Sequence, residues 1–252
     1  MVKNSLDFEK PIAELQKKIS ELEHFSSNSG IDCREQLEAL NGHLETLKKE
    51  IYSNLSPEWQ KRIRFFENDF SVLEEGSFVE DGELLILHMI GSSCGLPHPG
   101  EGAKRAVRSW VGAGRPILLL HGASAAFWQW NFWRILPGYR WVRGEDPDGV
   151  TPSSHPRRPY KVTVSKTRHE LCSVLEEMDL PEDELYIELE QVCPAMTLME
   201  TRTEEGTYPQ CTEVVTPFGG KTVSFIPGHD PAVTSNPVLI RNVEHLLEYL
   251  LH

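Results

Sequence analysis

The chain has 252 residues, 39% of them hydrophobic and 25% charged, and a net charge of −13. That length and apolar content suit one large domain, or a domain with an appendage, and argue against a disordered chain. The acidic balance argues against nucleic acid and anionic membrane as main partners, because both select clustered lysine and arginine.

No apolar run approaches the roughly 20 residues that span a bilayer. The opening "MVKNSLDFEKP" lacks the apolar stretch of a secretory signal. Cys33, Cys94, Cys172, Cys193 and Cys211 form no CxxC pair. They predict reduced thiols in a cytoplasmic protein, not a disulfide framework or a zinc ribbon.

The first 63 residues hold seven of the eleven lysines but two of the seventeen prolines, and carry a charge of −2, leaving −11 for the rest. This shift predicts a helical module over 1–63, a linker over 64–82 and a main domain over 83–252. Ile12, Leu15, Ile19 and Leu22, then Leu37, Leu40, Leu44, Leu47 and Ile51, recur at spacings of three and four. That is the seam of two paired helices around the loop "HFSSNSGID". Ser56 and Pro57 read as the cap and first residue of a further helix.

From Glu83 the pattern turns to α/β. "ELLILHMIG" (83–91) and "PILLL" (116–120) read as buried strands around a helix in "GEGAKRAVRSWVGAGR". Strands are also expected at 160–165, 195–201 and 221–228, with a mixed stretch at 183–190. Asn236 and Pro237 open an amphipathic helix over 236–251. The Pro/Gly-dense tract 137–159 is long for a connection, and reads as a functional loop or lid.

Ligands bind beyond the carboxyl ends of parallel strands, which puts His121 and His229 at one edge. Both suit acid–base work near neutral pH. Ser124 in "HGASAAF" is flanked by Ala123 and Ala125, so the glycines of a nucleophile elbow are missing. It reads as a turn residue or a hydroxyl that meets a ligand. Trp128, Trp130, Trp133 and Trp141 fit either a core or a wall that stacks on a sugar. The acidic run Glu182–Glu184 fits either a solvated turn or a site.

Two resemblances add to this. "LDFEKPIAELQKKISEL" and "LKKEIYSNLSPEWQKR" resemble the N-terminal helices of the carboxyltransferase alpha subunit of bacterial acetyl-CoA carboxylase, over about residues 5–63. The family's next motif and its Gly-rich oxyanion turns are absent. The resemblance therefore implies a docking or dimerisation element, for self-association or a carboxylase beta subunit, and not carboxyltransferase activity.

"RSWVGAGRPILLLHGASAAF", "RHEL", "EDELYIEL" and "ETRTEEGTYPQCTEVVTPFGGKTVSFIPGHD" resemble the ThuA-like, or trehalose-utilisation, family over about 66–252. That implies an α/β flavodoxin-like fold of the class I glutamine amidotransferase type, a mostly parallel sheet flanked by helices. It also implies a small carbohydrate as partner, of the trehalose or keto-disaccharide kind. On it His169 joins His121 and His229 as catalytic candidates. Ser124, Trp128, Glu184, Tyr186 and Asp230 become substrate-binding candidates. No cofactor is expected, although His121, His169, His229 and Glu184 also suit a metal site. The segment lacks the strand, helix and strand that open such a domain, which predicts an uncovered sheet edge unless the N-terminal hairpin shields it. Three readings follow: a carbohydrate enzyme, a non-catalytic docking protein and an inactive fusion.

Overall fold

The computed structural model describes residues 50–66, 70–88, 98–127, 129–144 and 149–252. The chain divides into two compact units, Met1–Arg62 and Ile63–His252. The paired helices expected between Ile12 and Ile51 fall almost wholly outside the described residues. In the first unit, α1 (Glu50–Asn54) and α2 (Pro57–Arg62) follow each other closely. The Gln60 amide donates to the carbonyls of Ser53 and Leu55, at 3.0 and 2.7 Å, and ties the two together. The Arg62 guanidinium lies over the Trp59 ring, 4.5 Å from its centroid.

The second unit begins with two short helices, α3 (Ser71–Glu75) and α4 (Phe78–Asp81), in the stretch expected to be linker. Their Leu73 and Phe78 are buried in the core with Leu87, Val107 and Trp110. The Glu74 carboxylate accepts the backbone N–H groups of Gly100 and Ala103 at the start of α5 (Glu101–Gly112). It satisfies donors that the helix cannot satisfy itself, and it opposes the positive end of the helix dipole.

The main sheet has seven strands in the order β1-β2-β9-β8-β7-β4-β5. They are β1 (Leu85–Leu87), β2 (Ile117–Leu120), β4 (Arg157–Val164), β5 (Met178–Glu184), β7 (Met196–Arg202), β8 (Thr207–Val215) and β9 (Lys221–Phe225). A separate pair joins β3 (Tyr139–Arg140) to β6 (Glu190–Gln191). β1, β2 and β9 pair in parallel, and every other pairing in the main sheet is antiparallel. Five of the seven strands therefore run the same way, with β8 and β4 against them. Of the described strands, β1 stands at the edge of the sheet, so its outer side is where further strands would add.

All four residues of β2 are buried, as a strand covered on both faces requires. Ile117 and Leu119 join the core with α5; the short α6 (Pro231–Thr234) leads into the C-terminal helix α7 (Pro237–Leu251), which also packs on β2. Side chains alternate along a strand, so Leu118 and Leu120 point to the opposite face. The Asn236 side chain accepts the Val238 N–H at 2.8 Å and caps α7, with Pro237 at its first position, as read from the sequence. The fold is an α/β sheet flanked by helices, of flavodoxin-like type.

Candidate functional site

β2, β9 and β5 share a direction, so their C-terminal ends lie at the same edge. β8, β7 and β4 stand between β9 and β5, and β4 pairs with β7 through Thr163 and Val164 but with β5 through its first half. Glu184 at the end of β5 nevertheless reaches the residues after β2 and β9. His121 is the first residue after β2 and has φ 48°, a left-handed conformation rare outside glycine. Its Nδ1–H donates to the Ile226 carbonyl at 2.9 Å, tying the end of β2 to the end of β9. That bond leaves Nε2 facing His229 Nδ1 at 3.0 Å and Glu184 Oε2 at 3.6 Å. His229 Nδ1 is 3.1 Å from the same carboxylate oxygen. All three side chains are buried. Tyr186 points its hydroxyl at His121 Nε2, 3.4 Å away.

His155 Nδ1 stands 3.2 Å from the other carboxylate oxygen of Glu184. Burial alone would push the Glu184 carboxyl up, but hydrogen bonds from His121, His155 and His229 outweigh it and hold it well below the usual carboxylate range. The bond to Glu184 in turn raises His155, against its partial burial. Burial, with the nearby Glu184 and Asp183 charges, pushes the Tyr186 hydroxyl far up, so it remains a donor.

Asp183, fully buried, holds the loop that carries His229. Its carboxylate accepts the backbone N–H groups of Gly228, His229 and Asp230, at 3.1, 3.0 and 3.0 Å, and the Tyr160 hydroxyl at 3.3 Å. Three successive N–H groups converge on one carboxylate because Gly228 takes φ 116°, a conformation closed to other residues.

Of the sequence-based candidates, His121, His229, Glu184 and Tyr186 come together here. His169 lies elsewhere. It follows β4, which runs against β2 and β9, so it emerges at the opposite edge. There it accepts the Leu171 N–H on Nδ1 at 3.2 Å, and its Nε2 is 3.3 Å from the Tyr249 hydroxyl and 3.5 Å from Glu213. The Lys221 ammonium, at the start of β9, covers the Tyr249 ring.

Asp230 is adjacent to the cluster, but its carboxylate pairs with Arg157. Ser124 lies in the short 3-10 turn His121–Ala125. Its hydroxyl is buried without a hydrogen-bond partner among the described residues. It lines a cleft with Trp133, Arg134, Arg140, Trp141 and Arg143. Among the described residues no histidine or carboxylate bonds to it, so they assemble no nucleophile–base pair there.

Trp130 and Trp133 are core residues, packed on Phe127. Trp141 instead packs edge-on against Tyr186, at 4.9 Å between centroids, and against His155 at 5.4 Å, which joins the cleft to the histidine cluster. Trp128 lies outside the described residues. Sequence reasoning passed over His155 and Asp183. His155 stood in the loop 137–159 suspected of function, and Asp183 stood within the acidic run.

The acetyl co-enzyme A carboxylase carboxyltransferase-like family matches residues 5–64. The acetyl-coenzyme A carboxylase carboxyl transferase subunit alpha of Anoxybacillus flavithermus is 31% identical over 160 residues, 48% of this chain and 49% of that protein. Its counterpart in Burkholderia cenocepacia is 49% identical over 55 residues, 22% of this chain and 17% of that one. The chain thus spans about half, or less, of the length of the curated relatives it matches. Among solved structures, a ThuA-like protein of Parabacteroides merdae superposes with a TM-score of 0.56 at 16% identity, over 78% of this chain and 81% of that chain. One from Bacteroides uniformis gives 0.53 at 13% identity, over 71% and 74%. The α/β unit therefore has the fold of ThuA-like proteins, and the N-terminal segment is similar to that of the carboxyltransferase alpha subunits. No helix among the described residues is long and apolar enough to cross a membrane.

Proposed function

We propose that the α/β unit binds and transforms a small carbohydrate of the trehalose or keto-disaccharide kind, in the cytoplasm, at the edge where His121, His229 and Glu184 meet. The observation that carries this reading is the buried His–Glu–His cluster beside an aromatic wall. Trp141, partly exposed and packed on the buried Tyr186, offers a flat apolar face of the sort that packs on a sugar ring. The Ser124 hydroxyl, without a partner among the described residues, supplies a donor and acceptor for a sugar hydroxyl. The two imidazoles polarise an oxygen or move a proton, Glu184 holds the positive charge that results, and the outer bonds from His155 and Asp183 keep these groups aimed.

The reading predicts that thermal-shift screening against disaccharides and their keto derivatives finds a ligand that stabilises the wild-type protein. His229→Ala abolishes that shift, and any turnover of the ligand, while the far-ultraviolet circular dichroism is retained. A shift unchanged in His229→Ala rejects it.

The match over residues 5–64 supports a second reading, in which the N-terminal segment docks the chain onto a second copy or a carboxylase beta subunit.

A further inference from the structure

Three donor atoms converge at the end of the sheet: His121 Nε2, His229 Nδ1 and Glu184 Oε2, separated by 3.0, 3.1 and 3.6 Å. A point equidistant from all three lies about 2 Å from each. Zinc-class ions bind imidazole nitrogen and carboxylate oxygen at roughly 2.0–2.2 Å. These three groups can hold one metal ion.

The hydrogen bonding of His121 is compatible with this: the Ile226 carbonyl takes an N–H on Nδ1, so a neutral ring turns the lone pair of Nε2 toward His229 and Glu184.

The surroundings are those that metal ligands use. The second nitrogen of His121 is held by a backbone carbonyl, and the second oxygen of Glu184 by His155. The backbone of His229 is held by Asp183. The side chains of the three ligands are 8%, 6% and 1% exposed, so little water competes for them.

The geometry points to a site for one divalent cation of the zinc class, held by His121, Glu184 and His229. Two neutral imidazoles and one carboxylate leave a net positive charge on the ion and a coordination position for water or a ligand oxygen. With the ion in place the imidazoles are ligands, and the polarising role passes to it. A sugar carbonyl bound there would be activated as by a Lewis acid. Only that last step rests on the carbohydrate reading; the site itself does not.

The test uses the full chain, stripped with a chelator and then titrated with zinc or cobalt(II) chloride alone. Metal content is read by plasma mass spectrometry, and cobalt coordination by visible absorption. The wild-type protein should take up one equivalent. Glu184→Gln and His229→Ala should each weaken binding by more than the roughly 10–100-fold that losing an outer-shell partner costs. His169→Ala, at the opposite edge, should bind as the wild type does. Circular dichroism of each metal-free variant checks folding, and Glu184→Gln, which keeps the shape of the side chain, decides if His229→Ala fails to fold. Wild-type protein that takes up no metal at micromolar concentration overturns the site, as does binding unchanged in Glu184→Gln. Metal uptake without any sugar response removes the carbohydrate reading and leaves the site standing. A sugar response in protein that takes up no metal does the reverse.

Discussion

Asp183, fully buried, accepts three backbone N–H groups and a phenol, and so couples the end of β5 to the loop that carries His229. An asparagine there keeps the shape but turns an NH2 group toward N–H donors. At least one buried donor then loses its acceptor, and the loop loses its fixed backbone. Asp183→Asn should therefore destabilise the protein by about 2–4 kcal/mol, measured by denaturant titration. It should also weaken any ligand of the histidine cluster, although Asp183 touches none of the cluster's side chains. A variant as stable as the wild type would show that the clamp is dispensable. His155, by contrast, is half-buried and acts on Glu184 from the solvent side.

Among the elements, β5 explains why part of the site escaped sequence reading. Arg158 of β4 pairs with Asp183, and Tyr160 with Leu180. One residue of β4 thus faces two of β5, Pro181 and Glu182, in a β-bulge. Neither Pro159 nor Pro181 can donate a ladder hydrogen bond, so the break falls where two prolines face each other. Met178 and Leu180 point inward; strict alternation then puts Glu182 inward and Asp183 outward. The bulge reverses this: Pro181 and Glu182 are exposed, and Asp183 is buried. His121 and His229 were legible because they follow plain parallel strands. His169 also follows a strand, but periodicity does not give strand direction, and β4 runs the other way. β8, with Pro209 inside it, escaped notice as a strand.

The hairpin from β7 to β8 adds a check at this scale. At its turn Glu205 is held by Arg158 of β4 through two hydrogen bonds, at 3.1 and 3.0 Å. The bonds from Arg158 and Thr203 lower Glu205 from 4.5 to about 2. A depressed carboxyl stabilises the fold at pH above its unfolded value, and this contribution fades as the pH falls from about 4.5 through about 2. Glu205 is exposed and Arg158 partly so, so the effect is small and screened by salt. Arg158→Gln should make stability less steep in pH between about 2 and 4.5 at low salt, followed by urea melts. It should change little at pH 7 in high salt. An unaltered acid slope would reject the pairing.

Across the whole molecule two compositions meet near residue 63, where the compact units also divide. The lysine-rich segment carries the carboxyltransferase likeness, and the acidic remainder carries the ThuA-like fold. If the N-terminal segment docks, light scattering of a peptide of residues 1–65 should give a dimer, or a complex with a carboxylase beta subunit. A monomer that ignores the subunit would sink that reading. If the chain were an inactive fusion, heating residues 1–252 would give no cooperative transition. The buried core that joins α3, α4, α5 and β2 predicts that it gives one.

The place of β9 bears on how the molecule is made. Although β9 comes late in the chain, it lies between β2 and β8. On the ribosome, β2 is finished about a hundred residues before its neighbour is translated. Until Lys221–Phe225 emerges, an apolar strand edge has no partner and His121 has no Ile226 carbonyl to turn toward. Over that interval the nascent chain keeps an edge open to wrong pairing. The site can close only after β9 and His229 have emerged.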